Sequence, residues 1–406
     1  MEEKRKSEAI YKSIMLIIIT ILITAIVTTI VVYNVIVNSG KIAIKSQSTD
    51  SLEGLESTLA SFRTALEEKY IGEIDDEQMV EGAIKGYIEG LGDPYTTYYT
   101  KEEMDDLMEE TTGNYVGIGI YITLDIENNA IYIIKPMDGS PAEEAGIQSG
   151  DLITKVDGVS YTGEELDQAS NAIKGKEGTT VKLEILRGEE TIELEVERRT
   201  IILTHIVEKK LNDNIGYLLI EDFDGGCADE FREKFEDLQN QGIEKLIIDV
   251  RNNGGGIVDE AVEIADMLLD KGDTILITRN KNDDEEITKS DNDPIITMPV
   301  VILTNEYSAS ASEILVGALQ DNERATVVGT KTYGKGVIQE LARLNDGSGL
   351  KITIEEYCTP NRNKINEIGI EPDIEVNLPE DLINSADIPE DEDTQLQKAI
   401  EVIKEK

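Results

Sequence analysis

One histidine, His205, and two cysteines, Cys227 and Cys358, stand in a chain of 406 residues. Neither cysteine belongs to a CxxC or CxxH pattern, which excludes a zinc ribbon and a disulfide framework. A transition-metal site would have to be built from carboxylates alone, so neither a metal nor another cofactor is expected. Base is scarce as well: 38 Lys and Arg face 83 Asp and Glu, a net charge of -45. A phosphate backbone would be repelled, and nucleic acid is excluded as a partner. The acid is spread along the chain, and its plain use is solubility.

Long apolar runs are missing except at one place. Ile14 to Val37, "IMLIIITILITAIVTTIVVYNVIV", is 24 residues without a charge, enough to span a bilayer as a helix. Lys4, Arg5, Lys6 and Lys12 precede it, which places residues 1–13 in the cytoplasm and the rest outside. A cleaved signal peptide would have a shorter apolar region and a small-x-small site after it. Residues 14–37 therefore read as an uncleaved signal anchor in the cell membrane, and residues 38–56 as a polar stalk.

Between residues 57 and 112 the apolar positions recur at helical spacing, with "GDPYTTYYT" as a turn, predicting a helical platform. From residue 113 to 199 the period changes to that of short strands around one helix. Here "YVGIGIYI" sets Gly117 and Gly119 between apolar residues, and "SPAEEAGIQSGDLITKVDGV" follows. The glycine pair alone also fits a bulge. Together the two runs resemble a PDZ domain in the permuted strand order of bacterial proteases. Such a domain binds an extended peptide by strand addition, its terminal carboxylate held by backbone N–H groups. From Asn214 to Glu356 near-continuous apolar strands alternate with amphipathic helices, the pattern of an α/β layer on a largely parallel sheet.

Two loops at the carboxyl ends of those strands carry the chemistry, where open α/β sheets collect function. The first is "TNEYSASASEILVGA", Thr304 to Ala318, in which Ser308, Ser310 and Ser312 compete as nucleophile. Ser310 and Glu313 also form the S-x-x-E of a capping box, and a helix start is equally where an oxyanion gains most. His205 alternates with apolar residues in a connecting strand and reads as structural. The second loop is "GTKTYGKGVIQ", Gly329 to Gln339. It fits a phosphate loop through Gly329, Gly334 and Lys335, but Gly336 stands where Ser or Thr should bind magnesium and a strand follows in place of a helix. Read as a strand start, it projects Lys335, Val337 and Gln339 to one face. An ordinary lysine pKa of about 10.4 must fall by roughly three units, about 4 kcal/mol, for Lys335 to act as a base at pH 7. Burial supplies that order of magnitude, and the neutral amide of Gln339 could hold the amine without favouring its charged form.

"SASASEI", the "YGKGVIQ" that follows it, the glycine loop "DVRNNGGG" and the preceding PDZ pattern resemble the carboxyl-terminal processing peptidases, serine peptidases with a Ser-Lys dyad. The resemblance implies an α/β peptidase core of the crotonase-like type over residues 200–377, and it leaves 378–406 as an acidic helical tail. It implies Ser310 as nucleophile, Lys335 as general base and Gln339 as the residue orienting the lysine. Ala311 N–H with Gly255 or Gly256 N–H would form the oxyanion hole, and Gly117, Ile118, Gly119 and Ile120 would take the substrate tail. The family usually has proline where this chain has Gly254. It further implies protein substrates with accessible C-terminal tails, gating by the PDZ domain, and a homodimer through the helical platform and the C-terminal helix. The alternatives are a non-catalytic peptide receptor and a nucleotide-binding enzyme.

Overall fold

The computed structural model describes residues 52–111, 114–125, 128–137, 139–188, 190–379, 382 and 388–406. The apolar run 14–37 lies outside them, and among the described residues no helix is long and apolar enough to cross a membrane. The chain divides into two compact units, Met1–Ala83 and Ile84–Lys406. In the first, the helix Leu52–Lys69 is fastened to the start of the helix Asp76–Glu89 by Arg63, which donates to both carboxylate oxygens of Asp76 at 2.5 and 2.9 Å.

In the second unit, the stretch expected to be a mere turn contains the short strand Thr97–Tyr99, paired antiparallel to Gly349–Cys358. Its partner lies about 250 residues downstream, a pairing that local spacing cannot announce. The helix Lys101–Thr111 follows. Residues 120–197 then form a six-stranded antiparallel sheet with the helix Leu166–Ile173 beside it. Thr180–Arg187 alternates exposed and buried positions, with Val181, Leu183 and Ile185 joining Ile131, Ile133 and Ile153 in one core. The module is closed at its root by a two-stranded ribbon, Asn114–Gly117 with Arg199–Ile202.

The peptidase-like core is a six-stranded sheet in the order Ile206–Lys210, Ile215–Ile220, Lys245–Asp249, Val300–Thr304, Ala325–Gly329, Ile374–Glu375. All neighbours are parallel except the first pair. Apolar residues run continuously because both faces are covered. Leu246, Ile248, Val300 and Ile302 face the helices Cys227–Asn240, Val258–Asp266 and Ala311–Asp321, while Ile247, Val301 and Leu303 face the other way. That second face is covered by the C-terminal helix Thr394–Lys404 through Leu396, Ala399 and Ile403. Burying Leu396 and Ile403 contributes about 1.5–3 kcal/mol each. The last helix is therefore part of the core rather than a tail, and its apolar face is not free to form a dimer.

A second departure concerns "DTILIT". Thr274–Asn280 joins Gly349–Cys358 and Glu285–Lys289 in a separate antiparallel sheet, with Val337–Arg343 along Gly349–Cys358. Cys227 is buried, Cys358 half-buried, and both are free thiols.

Candidate active site

Parallel strands Lys245–Asp249 and Val300–Thr304 end side by side, so the loops that follow them meet. Asn253, fully buried, spans the gap: its Oδ1 accepts from Gly255 N–H at 2.8 Å and its Nδ2 donates to Ile220 O at 2.9 Å. Its backbone carbonyl accepts from Ala309 N–H at 3.0 Å and from Ser312 Oγ at 3.0 Å. Ser308 Oγ donates to the Val250 carbonyl at 2.7 Å and accepts from Asn305 N–H at 3.0 Å. Two of the three serines thus lace the serine turn to the glycine loop. The third, Ser310, lines the cleft.

Ser310 has φ 56° and ψ -116°, a conformation that side chains rarely adopt and that is held only where the surroundings enforce it. Gly255 enforces part of it by close approach: a Cβ there would stand 2.7 Å from Ser310 Cβ and 2.9 Å from Ala311 N. Ala311 opens the helix Ala311–Asp321, so its N–H has no acceptor within the helix. Of the two glycines, Gly255 commits its N–H to Asn253. Gly256 does not, because the bonds around it run from Phe223 N–H to Gly255 O and from Ile257 N–H to Phe223 O. An added Cβ at Gly254, where the resembled family has proline, would meet nothing within 4 Å.

Glu313 does more than complete the capping box. Fully buried, it accepts from Ser310 N–H at 3.0 Å and Lys335 N–H at 2.8 Å on one oxygen. The other oxygen accepts from Thr332 Oγ at 2.6 Å and Gly334 N–H at 2.8 Å. One carboxylate thus fastens the serine turn to the lysine loop. Burial raises its pKa, and the four donated hydrogen bonds oppose that rise. The phosphate-loop alternative fails on the same bonds, since the N–H groups of Gly334 and Lys335 that would cradle a phosphate are given to a carboxylate. Tyr357 makes a second bridge: its buried hydroxyl lies 2.9 Å from Ser310 O and 2.6 Å from Lys335 O. The capping signal made Glu313 visible in the sequence. Tyr357 carries no local signal.

A cleft of about 410 Å³ brings Ser310, Lys335, Gln339 and Gly256 together with Leu107, Thr111, Ile338 and Lys351. Burial lowers the pKa of Lys335, the positive charge of Lys351 lowers it further, and Glu313 partly opposes both. Lys335 Nζ makes no hydrogen bond to Ser310 or Gln339 among the described residues. Gln339 Nε2 donates instead to Thr353 Oγ at 3.4 Å. Lys335, Val337, Gln339 and Leu341 all line this cleft, as alternation into the strand Val337–Arg343 requires. The irregularity in register opposite Ile338 and Gln339 places the extra residue, Ile354, in the partner strand Gly349–Cys358.

His205 is buried and does not line this cleft; it lies in the loop before the strand Ile206–Lys210, with Nδ1 2.5 Å from Asp222 Oδ1. In the β-rich module, Ala142 N–H donates to Ile118 O at 2.9 Å, and Met137 N–H and Ser140 Oγ donate to Gly119 O at 3.0 and 3.1 Å. The carbonyls of this loop thus point inward. Gly119 has φ +74°, and a Cβ there would meet Ser140 Cβ at 2.5 Å. Ile118 is buried in the module's core, while Ile120 begins the edge strand Ile120–Asp125. Among the described residues no group of three or more His, Cys, Asp and Glu side chains is placed to hold a metal ion.

Residues 214–376 match peptidase family S41, residues 132–187 a PDZ domain, and residues 27–103 the N-terminal domain of the activating protease CtpB. The chain is 42% identical over 306 residues to the "Probable CtpA-like serine protease" of Staphylococcus haemolyticus, covering 75% of this chain and 61% of that one. It is 35% identical over 312 residues to the carboxy-terminal processing protease CtpA of Bacillus subtilis, covering 77% and 66%. With shares of 61% and 66%, it spans less than two thirds of these relatives' length. A solved structure described as an S41 protease from Bacteroides fragilis matches with a TM-score of 0.52 at 19% identity, over 83% of this chain and 93% of that one, which speaks for the fold alone. The chain belongs to peptidase family S41, with a PDZ domain ahead of the peptidase region.

Proposed function

We propose that this chain is a serine endopeptidase that processes proteins from their C-terminal tails. Lys335, as the neutral amine, takes the proton of Ser310 Oγ, which attacks a peptide carbonyl; the oxyanion is met by the N–H groups of Ala311 and Gly256. The protonated Lys335 then gives its proton to the leaving amine, and an acyl-enzyme remains. Water, deprotonated by Lys335, hydrolyses that ester and restores Ser310. Gln339 orients the amine once the substrate is bound. The observation that carries this reading is the Glu313 carboxylate, which ties Ser310 and Lys335 into one cleft while Ser308 and Ser312 are spent on backbone carbonyls. Incubating the full chain with an unfolded protein tests it: fragments that still appear with Ser310→Ala or Lys335→Ala would sink the dyad.

Gly117 to Ile120 take the substrate's terminal carboxylate through backbone N–H groups, and the tail pairs with Ile120–Asp125, the strand at the end of its sheet. Gating by the PDZ domain is supported by Lys174, at the end of its helix, which pairs with Glu109 at 2.9 Å. Glu109 belongs to the helix Lys101–Thr111, whose Leu107 and Thr111 line the cleft. Residues 14–37 anchor the chain in the cell membrane with residues 1–13 in the cytoplasm, and protease added outside intact cells should then digest everything past the stalk. The exposed Leu59 and Phe62 on the helix Leu52–Lys69 support pairing with a second copy of this chain, which sedimentation would detect.

A further inference from the structure

The proposed dyad leaves one neighbour of Lys335 without a role. Lys335 Nζ stands 5.1 Å from the centroid of the Tyr95 ring, within the distance at which a ring face attracts an ammonium. Tyr95 is firmly placed. Its N–H donates to Asp93 Oδ1 at 3.0 Å, and Asp93 Oδ2 accepts from Thr96 Oγ at 2.6 Å. Thr96 Oγ in turn accepts from Thr353 N–H at 3.1 Å, and Thr353 Oγ is the group that Gln339 touches. The turn Asp93–Thr96 thus presents one ring to the lysine while its support chain reaches the amide meant to orient that lysine.

The other groups around Lys335 pull in both directions. Glu313 lies beneath it, Lys351 faces it from the strand Gly349–Cys358, and Asp224 and Asp259 line the same cleft. Tyr333 and Tyr357 complete the surround. The ring face adds to these charges a short-range preference for ammonium over amine, because its quadrupole attracts the cation and has little to offer the neutral form.

We propose that Tyr95 is a positioning residue for Lys335: its ring holds the protonated ammonium off Ser310 and so sets the pH at which the lysine is released to act as base. This rests on the reading of Ser310 and Lys335 as a dyad. Loss of the proton removes the attraction, and the amine is then free to swing toward Ser310 and Gln339. The ring also receives the ammonium again when Lys335 takes the serine proton.

The test is the pH profile of kcat/KM for the full chain on a dye-labelled unfolded casein. Replacing Tyr95 by phenylalanine, and then by phenylalanines of rising ring fluorination, keeps the shape while draining charge from the ring face. The acid limb should stay put with phenylalanine and move to lower pH with each fluorine. Tyr95→Leu should move it by about half to one and a half pH units, so that the rate on the limb rises roughly 3- to 30-fold. An unmoved limb across the fluorinated series, with Lys335→Ala inactive at every pH, overturns the role of Tyr95 and leaves the dyad standing. An active Lys335→Ala overturns the dyad itself.

Discussion

Glu313→Gln tests the carboxylate that joins the two halves of the site. Glu313 accepts four hydrogen bonds, two on each oxygen, from Ser310 N–H, Lys335 N–H, Gly334 N–H and Thr332 Oγ. Glutamine keeps one accepting oxygen and turns the other position into an N–H₂ group. Two of the four donors must then face another donor in a site closed to water. Each buried donor left unpaired costs about 1–3 kcal/mol, or about 2–6 kcal/mol for two. Relief from burying a charge offsets part of this, so a net loss of about 2–4 kcal/mol is expected. The same change frees Lys335 relative to Ser310, and misplacement of about 1 Å costs about 100-fold in rate. Urea unfolding gives the first quantity, and kcat at the high-pH plateau gives the second. A variant within about 0.5 kcal/mol of the parent, the range of ordinary surface substitutions, with undiminished kcat would refute the idea that this carboxylate organises the site.

Tyr357→Phe removes the hydroxyl between the carbonyls of Ser310 and Lys335; it should cost about 1–3 kcal/mol, read by urea unfolding, and lower kcat more than it raises KM. Gly255→Ala would drive a Cβ to 2.7 Å from Ser310 Cβ at φ +103°, and a variant that still folds should lose activity by at least about 100-fold. Gly119→Ala, at φ +74° and 2.5 Å from Ser140 Cβ, should weaken binding of a peptide with a free C-terminus, measured by fluorescence anisotropy, and amidated peptide should not reveal the difference. His205 is pulled down by burial, but its bond to Asp222 and that group's charge outweigh this and raise its pKa above 6.5. Its pairing therefore stabilises fully below about pH 6.5 and is lost as pH rises through the raised value. The stability gap between the parent and His205→Gln should accordingly narrow from pH 6 to pH 9, with kcat unchanged on the plateau.

Features governed by local pattern were legible in the sequence. The alternation of Thr180–Arg187, the apolar run Val300–Thr304, the helix after Ser310 and the glycine loop all follow from short-range periodicity and turn chemistry. What escaped was set by distant pairing. Thr97–Tyr99 is a strand only because Gly349–Cys358 is there to receive it. Thr274–Asn280 resembles its parallel neighbours in composition but pairs with another sheet. The extra residue Ile354, which shifts the register opposite Gln339, carries no local signal either. Ser308, Ser310 and Ser312 could be told apart only when the carbonyls of Val250 and Asn253 were seen to engage two of them. Tyr95, far ahead of Lys335 in the chain, gave no sign of its position over the amine.

The most direct measurement is the rate at which a fluorophosphonate labels Ser310 as a function of pH, which reports activation of the serine without substrate binding or product release. Labelling should rise with a single ionisation below the ordinary lysine value of 10.5, in keeping with the lowered pKa of Lys335. It should vanish in Lys335→Ala and persist in His205→Gln. Labelling of Lys335→Ala at the parent's rate, or its loss in His205→Gln, would contradict a Ser310–Lys335 dyad.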